Sequence, residues 1–327
     1  MIVVGDIGGT KTVLAEVEDA GGSPRLGREA TFPSRDHASF RGILERFLEA
    51  TSGPAPRAVC LGVAGVVREG RVRTTNLPWE LFEDELRTVV GGAPVKLLND
   101  LEATAYGTLF LPDDERAVLQ AGTAGERRGN VAVIAAGTGL GEAILYWDGS
   151  RHHPIATEGG HGDFAPRCER EIELFRHLRR EVGGHVSYER VVSGPGLASI
   201  YRFARETSGE PEPAWLAERI RENDPSAVVA EAALAEQDGV CVEALERFVS
   251  LYGAEAGNMA LRCLAFGGVV LCGGIAPKLL PALEGGAFIR AFLDKGRFRP
   301  LLSEIEVSVA LNPRTPLLGC AHYALRL

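Results

Sequence analysis

An amide and a carboxylate stand side by side where an apolar stretch of the chain ends. Residues 95–98 have the pattern of a buried strand, Asn99 and Asp100 follow directly, and a helical pattern begins at Leu101. Ligands of α/β proteins bind at the carboxyl ends of strands, and a carboxylate there can accept the proton of a hydroxyl that attacks a phosphoryl group. Asn99 and Glu102 also have the spacing of a helix-capping pair, but capping gives no role to Asp100.

A turn with two glycines lies near the start of the chain. An apolar stretch ends at Asp6, and Gly8, Gly9, Thr10 and Lys11 lead into a stretch that alternates apolar and polar residues. The pattern predicts a strand, a tight turn and a returning strand. Backbone N–H groups in such a turn can cradle an anion, and an acid at the strand end can hold a hydrated Mg²⁺ opposite a phosphate. An ordinary β-hairpin fits this stretch as well, whereas a Walker A loop does not, because the lysine spacing differs.

Two later stretches repeat this design. Residues 134–145 predict a second strand, turn and strand, with Gly137, Thr138 and Gly139 in the turn. The apolar residues 269–272 predict a strand that runs into a pair of glycines, Gly273 and Gly274, ahead of a predicted helix. Three turns of this kind suggest a nucleotide held between two similar halves.

An acid and an imidazole flank two glycines further along the chain. Glu158 and His161 enclose Gly159 and Gly160, and such a loop offers donors and acceptors to a ligand with many hydroxyl groups. An ordinary turn with a hydrogen-bonded histidine is the alternative. Glu189 precedes a predicted helix start, and its position alone indicates a solvated charge.

The composition limits the classes of protein to which this chain can belong. It has 327 residues, 45% of them hydrophobic, and a net charge of −9, which argues against a nucleic-acid partner. It has no signal-peptide pattern and no apolar run long enough to span a membrane. The six cysteines are scattered without a C-x-x-C pair, which is typical of reduced thiols in a cytosolic protein.

The pattern of predicted elements favours an α/β fold of two domains. Strands and helices alternate over 1–110, which predicts a smaller N-terminal domain with a mixed sheet, including a helix over 80–90. A larger α/β domain is expected over 111–327, with a C-terminal helix, about 315–327, that packs back on the smaller one. Residues 240–266 predict a long buried helix in which two glycines four residues apart permit close packing.

Taken together, these motifs resemble those of bacterial glucokinases of the hexokinase-type group, in the sugar kinase, actin and Hsp70 superfamily. The resemblance covers almost the whole length. It implies a two-domain actin-like, ribonuclease H-like sugar kinase fold, with a mixed sheet in each domain and the active site in the cleft between them. The motifs that carry the resemblance are G-D-I-G-G-T-K from Gly5, L-N-D from Leu98, G-T-G-L-G from Gly137, E-G-G-H-G-D-F from Glu158, S-Y-E-R-V-V-S-G-P-G from Ser187 and F-G-G-V-V from Phe266.

The resemblance also implies an activity and the residues that perform it. The activity is ATP-dependent phosphorylation of D-glucose on its 6-hydroxyl, with Asp100 as general base, and the product would feed glycolysis. The residues implied to bind the sugar are Asn76, Asn99, Asp100, Glu158, His161 and Glu189. The residues implied to bind Mg-ATP are Asp6, Gly8, Gly9, Thr10, Lys11, Gly137, Thr138, Gly139, Gly273 and Gly274. Asp6 would hold Mg²⁺ through water.

Further expectations concern location, partners and metals. The resemblance implies a cytoplasmic homodimer whose partners are glucose and ATP, with no nucleic acid and no membrane. ROK-type sugar kinases carry a cysteine-rich zinc motif after the sugar-loop histidine, but only Cys168 lies near that position here, so no zinc is expected. Some relatives have asparagine where Lys11 stands, and its role stays open between a phosphate contact and a surface charge.

Four alternative functions remain from the sequence. The nearest is another hexose kinase, acting on mannose, fructose or an N-acetylhexosamine. A second is the same transfer from polyphosphate instead of ATP. A third is a sugar-binding regulator without turnover, against which the acid at Asp100 argues. The last is an ATPase of the actin or Hsp70 type, against which the sugar-loop cluster argues.

Overall fold

The computed structural model describes residues 1–51, 54–123 and 128–327. The chain groups into two compact units. The first consists of Met1–Glu115, His152–Ala156 and Asn312–Leu327, and the second of Arg116–Arg151 and Thr157–Leu311. The first unit thus extends past the expected boundary at residue 110, and it includes the C-terminal helix.

The described residues form strands and helices throughout both units. The strands are β1 (Ile2–Ile7), β2 (Lys11–Asp19), β3 (Pro24–Pro33), β4 (Val59–Val63), β5 (Val67–Arg68), β6 (Arg71–Arg73), β7 (Glu80–Phe82), β8 (Val95–Asn99), β9 (Arg116–Gln120), β10 (Val131–Ala136), β11 (Leu140–Trp147), β12 (His152–Thr157), β13 (Gly268–Cys272) and β14 (Val307–Ala310). The α-helices are α1 (Phe40–Glu49), α2 (Glu83–Val89), α3 (Asp100–Thr108), α4 (Glu169–Val182), α5 (Gly194–Ser208), α6 (Ala214–Glu222), α7 (Pro225–Leu234), α8 (Gly239–Cys263), α9 (Leu280–Glu284), α10 (Ala287–Leu293), α11 (Arg299–Ser303) and α12 (Thr315–Ala324).

The first unit is built on a mixed sheet of order β3-β2-β1-β4-β8. The hairpin of β1 and β2 is antiparallel, whereas β1, β4 and β8 run parallel. In this register Asp6 lies opposite Gly62 on β4, and Val63 lies opposite Asn99 on β8. The carboxyl ends of these three strands therefore meet at one edge, which carries both acidic motifs of this unit.

The second unit repeats the arrangement. Its strands β11, β10, β13, β14 and β9 are neighbours in that order. The hairpin of β10 and β11 is antiparallel, and β10 and β13 are parallel, with Ala135 opposite Cys272. The glycine turn after β10 and the glycine pair after β13 consequently lie at the same edge of the sheet, as the repeated sequence pattern suggested.

Glycines allow two pairs of helices to pack at close range. On α8, a Cβ added at Gly253 or Gly257 would overlap the backbone oxygen of Phe288 or Phe292. This confirms the predicted close packing and identifies α10 as the partner helix. In the first unit, a Cβ on Gly319 of α12 would overlap the backbone oxygen of Ala103 on α3.

The helix predicted over 80–90 is wrong in its first three residues. These form β7, in which Leu81 is buried and pairs with Val72 while its neighbours face outward. Three residues are too few to show the alternation of a strand, and the acidic first turn of α2 that follows made the whole stretch resemble a helix. The three-stranded sheet β5-β6-β7 was not predicted from the sequence.

The segment after Gly273 and Gly274 also differs from the prediction. Residues 273–279 form successive turns, and α9 begins only at Leu280. Gly273 has a φ of +83°, and a Cβ there would overlap the backbone oxygen of Ala136. The segment therefore leaves the strand through a left-handed residue pressed against β10, and no helix starts at the glycines.

Candidate active site

Two carboxylates lie close together at the sheet edge of the first unit. Burial, and then repulsion by Asp100, raise the pKa of Asp6 to about 6, and Lys11 partly opposes the rise. Gly62, on the strand between them, lets α3 pack close to β4, because a Cβ there would lie 3.0 Å from the Ala103 Cβ. Asp100 Oδ1 accepts a hydrogen bond of 3.0 Å from the Leu101 N–H. This packing of Gly62 against α3 was not predicted from the sequence, because its neighbours in space were unknown.

Asn99 performs the capping that its spacing predicted. Its Oδ1 accepts from the N–H groups of Leu101 and Glu102, and the Glu102 carboxylate accepts from the Asn99 N–H. The Asn99 Nδ2 donates to the Gly65 carbonyl at 3.0 Å. Nδ2 carries two N–H groups, so one is left to bind a ligand. The helix cap fixes the start of α3 and with it the position of Asp100.

The first glycine turn contacts the loop that carries Asn76. The Gly8 N–H donates to the Lys11 carbonyl at 3.0 Å, which closes the hairpin. A Cβ on Gly9 would lie 2.7 Å from the Asn76 Cβ, so only glycine permits this approach. Thr10, Lys11 and Asn76 are exposed. All the site residues predicted in this unit therefore lie in three neighbouring segments.

A buried serine that the sequence analysis missed ties the first turn down. Ser34 Oγ donates to the Gly8 carbonyl at 2.8 Å and lies 3.0 Å from Thr12 Oγ1, while its N–H donates to the Thr10 carbonyl at 3.0 Å. Ser34 is fully buried. It lies in the first turn after β3, where its type and position gave no indication of such a role.

The second glycine turn is closed by its own backbone and by the start of α5. The Gly137 N–H donates to the Gly139 carbonyl at 2.9 Å, and the Gly137 carbonyl accepts from the Gly194 N–H at 2.8 Å. Gly194 opens the helix that Ser193 caps through the Gly196 N–H. The turn thus lies against the N-terminus of a helix of 15 residues, where unpaired N–H groups and the helix dipole favour an anion.

Thr138 and the pair Gly273 and Gly274 border this turn. Thr138 is exposed at its tip, and both glycines are exposed beside it. The Ile275 N–H donates to the Ala136 carbonyl at 3.3 Å, which holds the 273–274 turn against the end of β10. The second unit therefore brings together every nucleotide residue predicted in its sequence.

The three sugar residues predicted in the second unit also lie together. His161 Nε2 is 3.9 Å from Glu158 Oε2, and His161 Nδ1 is 3.9 Å from Glu189 Oε1. The Glu189 Oε2 accepts from the Leu140 N–H at 3.0 Å, and a Cβ on Gly139 would lie 2.5 Å from that oxygen. Glu189, which no spacing rule identified, therefore joins the glycine turn to the sugar loop.

These arrangements define a class of protein. Two sheets that each end in a glycine hairpin, with an acid pair beside one hairpin and an acid–imidazole cluster beside the other, belong to the sugar kinases of the actin-like fold. The family model described as glucokinase matches residues 3–327. The chain therefore belongs to the glucokinase family, the kinases that phosphorylate glucose with ATP.

Individual relatives agree with this assignment. The glucokinase of Nostoc punctiforme is 37% identical over 342 residues, which cover 100% of this chain and 99% of that protein. The glucokinase of a Synechocystis species is 40% identical, with 98% and 96% covered. The crystal structure of a glucokinase from an Antarctic psychrotroph matches with a TM-score of 0.86 at 30% identity, covering 100% of this chain and 99% of that one.

Metal and membrane properties were examined over the described ranges. In 1–51, 54–123 and 128–327, no three His, Cys, Asp or Glu side chains group as a metal site. Over the same residues no helix has the length and apolar character needed to cross a membrane. The acid pair Asp6 and Asp100 suits a hydrated Mg²⁺, because a cation relieves the repulsion that raises the pKa of Asp6.

Proposed function

We propose that this chain transfers the γ-phosphoryl group of ATP to the 6-hydroxyl of D-glucose, with Asp100 as the general base. The observation that carries the proposal is the placement of Asp100 beside Asp6 at the carboxyl ends of parallel strands. A base at that edge accepts the proton of the attacking hydroxyl, a contribution of about 10²–10⁴-fold in general. The helix cap at Asn99 holds it in place.

Carboxylates, an imidazole and amides are proposed to bind the sugar hydroxyls. Glu158, His161 and Glu189 supply carboxylate acceptors and an imidazole. Asn76 and Asn99 supply amides. Hydrogen bonds to charged groups are stronger than neutral ones, and a site built to bond particular hydroxyls can reject an analogue that lacks one by about 10⁴–10⁵-fold.

The nucleotide phosphates are bound by the glycine turns at Gly8–Gly9 and Gly137–Gly139. Thr10 and Thr138 add hydroxyls, and the N-terminus of α5 adds its dipole. Gly273 and Gly274 are proposed to face the adenosine, and Lys11 a phosphate. Asp6 would hold Mg²⁺ through water, and the bound ion would offset charge on the phosphates.

We also propose a cytoplasmic location and a homodimeric state for this chain. The six cysteines are free, five of them buried, which suits a reducing cytoplasm. There glucose 6-phosphate would enter glycolysis. A homodimer is proposed from the family resemblance, and sedimentation of the purified chain would test it.

The experiment is ADP release from Mg-ATP with glucose, mannose, fructose, N-acetylglucosamine or no sugar. Glucose-dependent release well above the rest is the expected result. Faster turnover of another hexose would identify that sugar, and not glucose, as the substrate. Equal release without any sugar would contradict the kinase reaction. Polyphosphate in place of ATP tests the donor, and the proposal expects little transfer from it.

A further inference from the structure

Two carboxyl groups are buried behind the sugar loop, which we define as residues 158–161. Glu142 on β11 and Glu255 on α8 both have an exposed fraction of 0%. No donor of a described residue is placed on either carboxylate oxygen of Glu142. A buried carboxyl group without a hydrogen bond is costly, so its retention requires a compensating interaction.

Glu142 lies directly beneath the sugar loop. Its Oε2 occupies the space that a Cβ on Gly159 would take, so the loop backbone rests on the carboxyl group. Beside this contact, the Thr157 hydroxyl donates to the Glu142 carbonyl at 2.7 Å and accepts from the Gly159 N–H at 3.1 Å. The start of the sugar loop is therefore fixed on Glu142 by side chain and backbone.

Glu255 connects the region beneath the sugar loop to the turn that carries Glu189. Asn258 Nδ2 donates to Glu255 Oε2 at 2.8 Å and to the Tyr188 hydroxyl at 3.2 Å. The Tyr188 N–H in turn donates to the Gly162 carbonyl at 3.0 Å, just past the sugar loop. Glu142 thus contacts the start of the sugar loop, and Glu255 is linked to its end through Asn258 and Tyr188.

Among the described residues, a single guanidinium, that of Arg262, lies within 4 Å of both acids. Arg262 Nη1 lies 2.6 Å from Glu255 Oε1 and 3.8 Å from Glu142 Oε2. Two ionised carboxylates beside one guanidinium would leave a buried negative charge uncompensated, which proteins avoid by retaining a proton. Burial first, and then repulsion from Glu255, raise the pKa of Glu142 to about 8 against the opposing effect of Arg262.

The other titratable groups around the acids are Lys295, Tyr188 and Tyr252, and the Glu255 carboxylate raises the pKa of Lys295 against the effect of burial. Lys295 Nζ donates to Asn258 Oδ1 at 2.7 Å, and its pKa is lowered by burial first and then by Arg167. The pKa values of Tyr188 and Tyr252 are raised, chiefly by burial, so both phenols stay neutral near pH 8.

We propose that Glu142 and Glu255 share one proton and that this neutralised pair is the support that keeps the sugar loop in its binding position. Glu142 is then a positioning residue, which acts through the loop and does not touch the sugar. When the shared proton is lost, repulsion between the two carboxylates displaces the loop and weakens glucose binding. The inference rests on the proposed sugar-binding role of Glu158, His161 and Glu189.

The test compares Glu142→Gln with the unmodified protein from about pH 7 to about pH 9. Glucose binding without ATP is followed by calorimetry, and KM and kcat by ADP release. For the unmodified protein we expect glucose affinity to fall several-fold toward the alkaline end, with kcat at saturating glucose changing less. Glutamine keeps the size and a donor but cannot ionise, so affinity near pH 7 should stay within about twofold and the alkaline loss should disappear.

A control and a second variant complete the experiment. Glu231→Gln neutralises an exposed acid paired with Arg219 on α6, and it should reproduce the unmodified pH profile. Glu142→Ala leaves a void under Gly159, so it should raise KM for glucose at every pH. If that variant does not fold, the glutamine profile still decides.

The two proposals fail in different ways. If the unmodified protein phosphorylates glucose but Glu142→Gln keeps the same alkaline loss of affinity, the shared proton is disproved and the kinase assignment stands. If no sugar supports ADP release, the proposed function fails. The pH dependence of glucose affinity, measured by calorimetry, still tests whether the Glu142–Glu255 pair supports the sugar loop. A pH-independent glucose affinity of the unmodified protein would also overturn it.

Discussion

At the scale of single residues, Asn99 shows how one side chain serves both the fold and the site. Its amide oxygen is fully used in capping α3, and its nitrogen retains one N–H beyond the bond to Gly65. The capping spacing and the family motif each predicted one of these roles from the sequence. The cap is present in the structure, while the sugar contact remains a proposal.

Replacing Asn99 by alanine should weaken both stability and sugar binding. Loss of an N-cap costs about 1 kcal/mol of the free energy of unfolding, measured by urea denaturation. Asn99→Ser is the matched control, because serine can cap the helix but lacks the amide N–H groups. We therefore expect Asn99→Ser to recover most of the stability while glucose affinity stays low. Normal glucose affinity in both variants would remove Asn99 from the sugar site.

The residue scale also shows what a sequence cannot predict. Asp6 and Asp100 were both identified as acids at strand ends, yet their proximity depends on β4 lying between their strands. Gly62 on β4 packs against Ala103 of α3, and a glycine inside an apolar strand pattern does not disclose what faces it. Residue types indicated the chemistry, and the strand order determined which groups interact.

At the scale of elements, the first glycine turn depends on β3 as much as on its own hairpin. Ser34, just after β3, bonds the carbonyl groups of Gly8 and Thr10. We propose that a phosphate contacts the N–H groups on the other side of those peptides. The serine therefore sets the orientation of the turn before any nucleotide binds.

Replacing Ser34 by alanine should raise KM for ATP more than KM for glucose. The change removes the hydrogen bond to the partly buried Gly8 carbonyl, at a cost of about 1 kcal/mol in the free energy of unfolding. Steady-state kinetics with each substrate varied, together with urea denaturation, measures both effects. Thr12→Val is the control, because it removes only the hydroxyl partner of Ser34 and keeps the bond to the turn. Equal changes in both KM values for Ser34→Ala would disprove a specific role in the turn.

Periodicity predicted the long elements well and the short ones poorly. The buried helix α8 follows a 3.6-residue pattern and lies close to the predicted bounds of 240–266. The strand β7 has three residues, too few for a period of two to stand out beside the acidic start of α2. Its sheet forms because Val72 and Leu81 pair across strands, which depends on contacts beyond the local sequence.

At the scale of the whole molecule, buried acids make folding sensitive to pH. The pKa of Glu142 is raised from 4.5 to about 8, and that of Asp6 from 3.8 to about 6. At pH values between the ordinary and the raised pKa of each acid, the folded chain holds a proton that the unfolded chain has released. The contribution of these two acids to the free energy of unfolding should therefore be greatest below their ordinary pKa values and fall as the pH rises, with the Glu142 contribution lost as the pH passes about 8.

Urea denaturation at a series of pH values measures this dependence. Glu142→Gln should flatten the decline between about pH 6 and 8, because glutamine does not titrate and the Asp6 contribution is already complete there. The exposed Glu231→Gln serves as the control and should leave the slope unchanged. A steep decline that persists in Glu142→Gln would mean that other groups titrate in this window.

Global assembly is the level at which the sequence was least informative. Glu142 and Glu255 belong to β11 and α8, and nothing in either local pattern relates them. Glu142 is one polar residue in a strand of the second hairpin, and its sequence context assigned it no role. The repeated hairpin pattern did predict two similar sheets, because that pattern is local.

The central claim is that Asp100 accepts the proton of the sugar hydroxyl, and one measurement tests it most directly. Glucose-dependent ADP release by Asp100→Asn is compared with that of the unmodified protein, with glucose binding measured on the same samples by calorimetry. Asparagine keeps the shape of the side chain and an oxygen that can accept from the Leu101 N–H, but it cannot take up the proton. The account predicts a fall in kcat of at least about 10²–10⁴-fold with glucose still bound. Near-normal turnover by Asp100→Asn would contradict it.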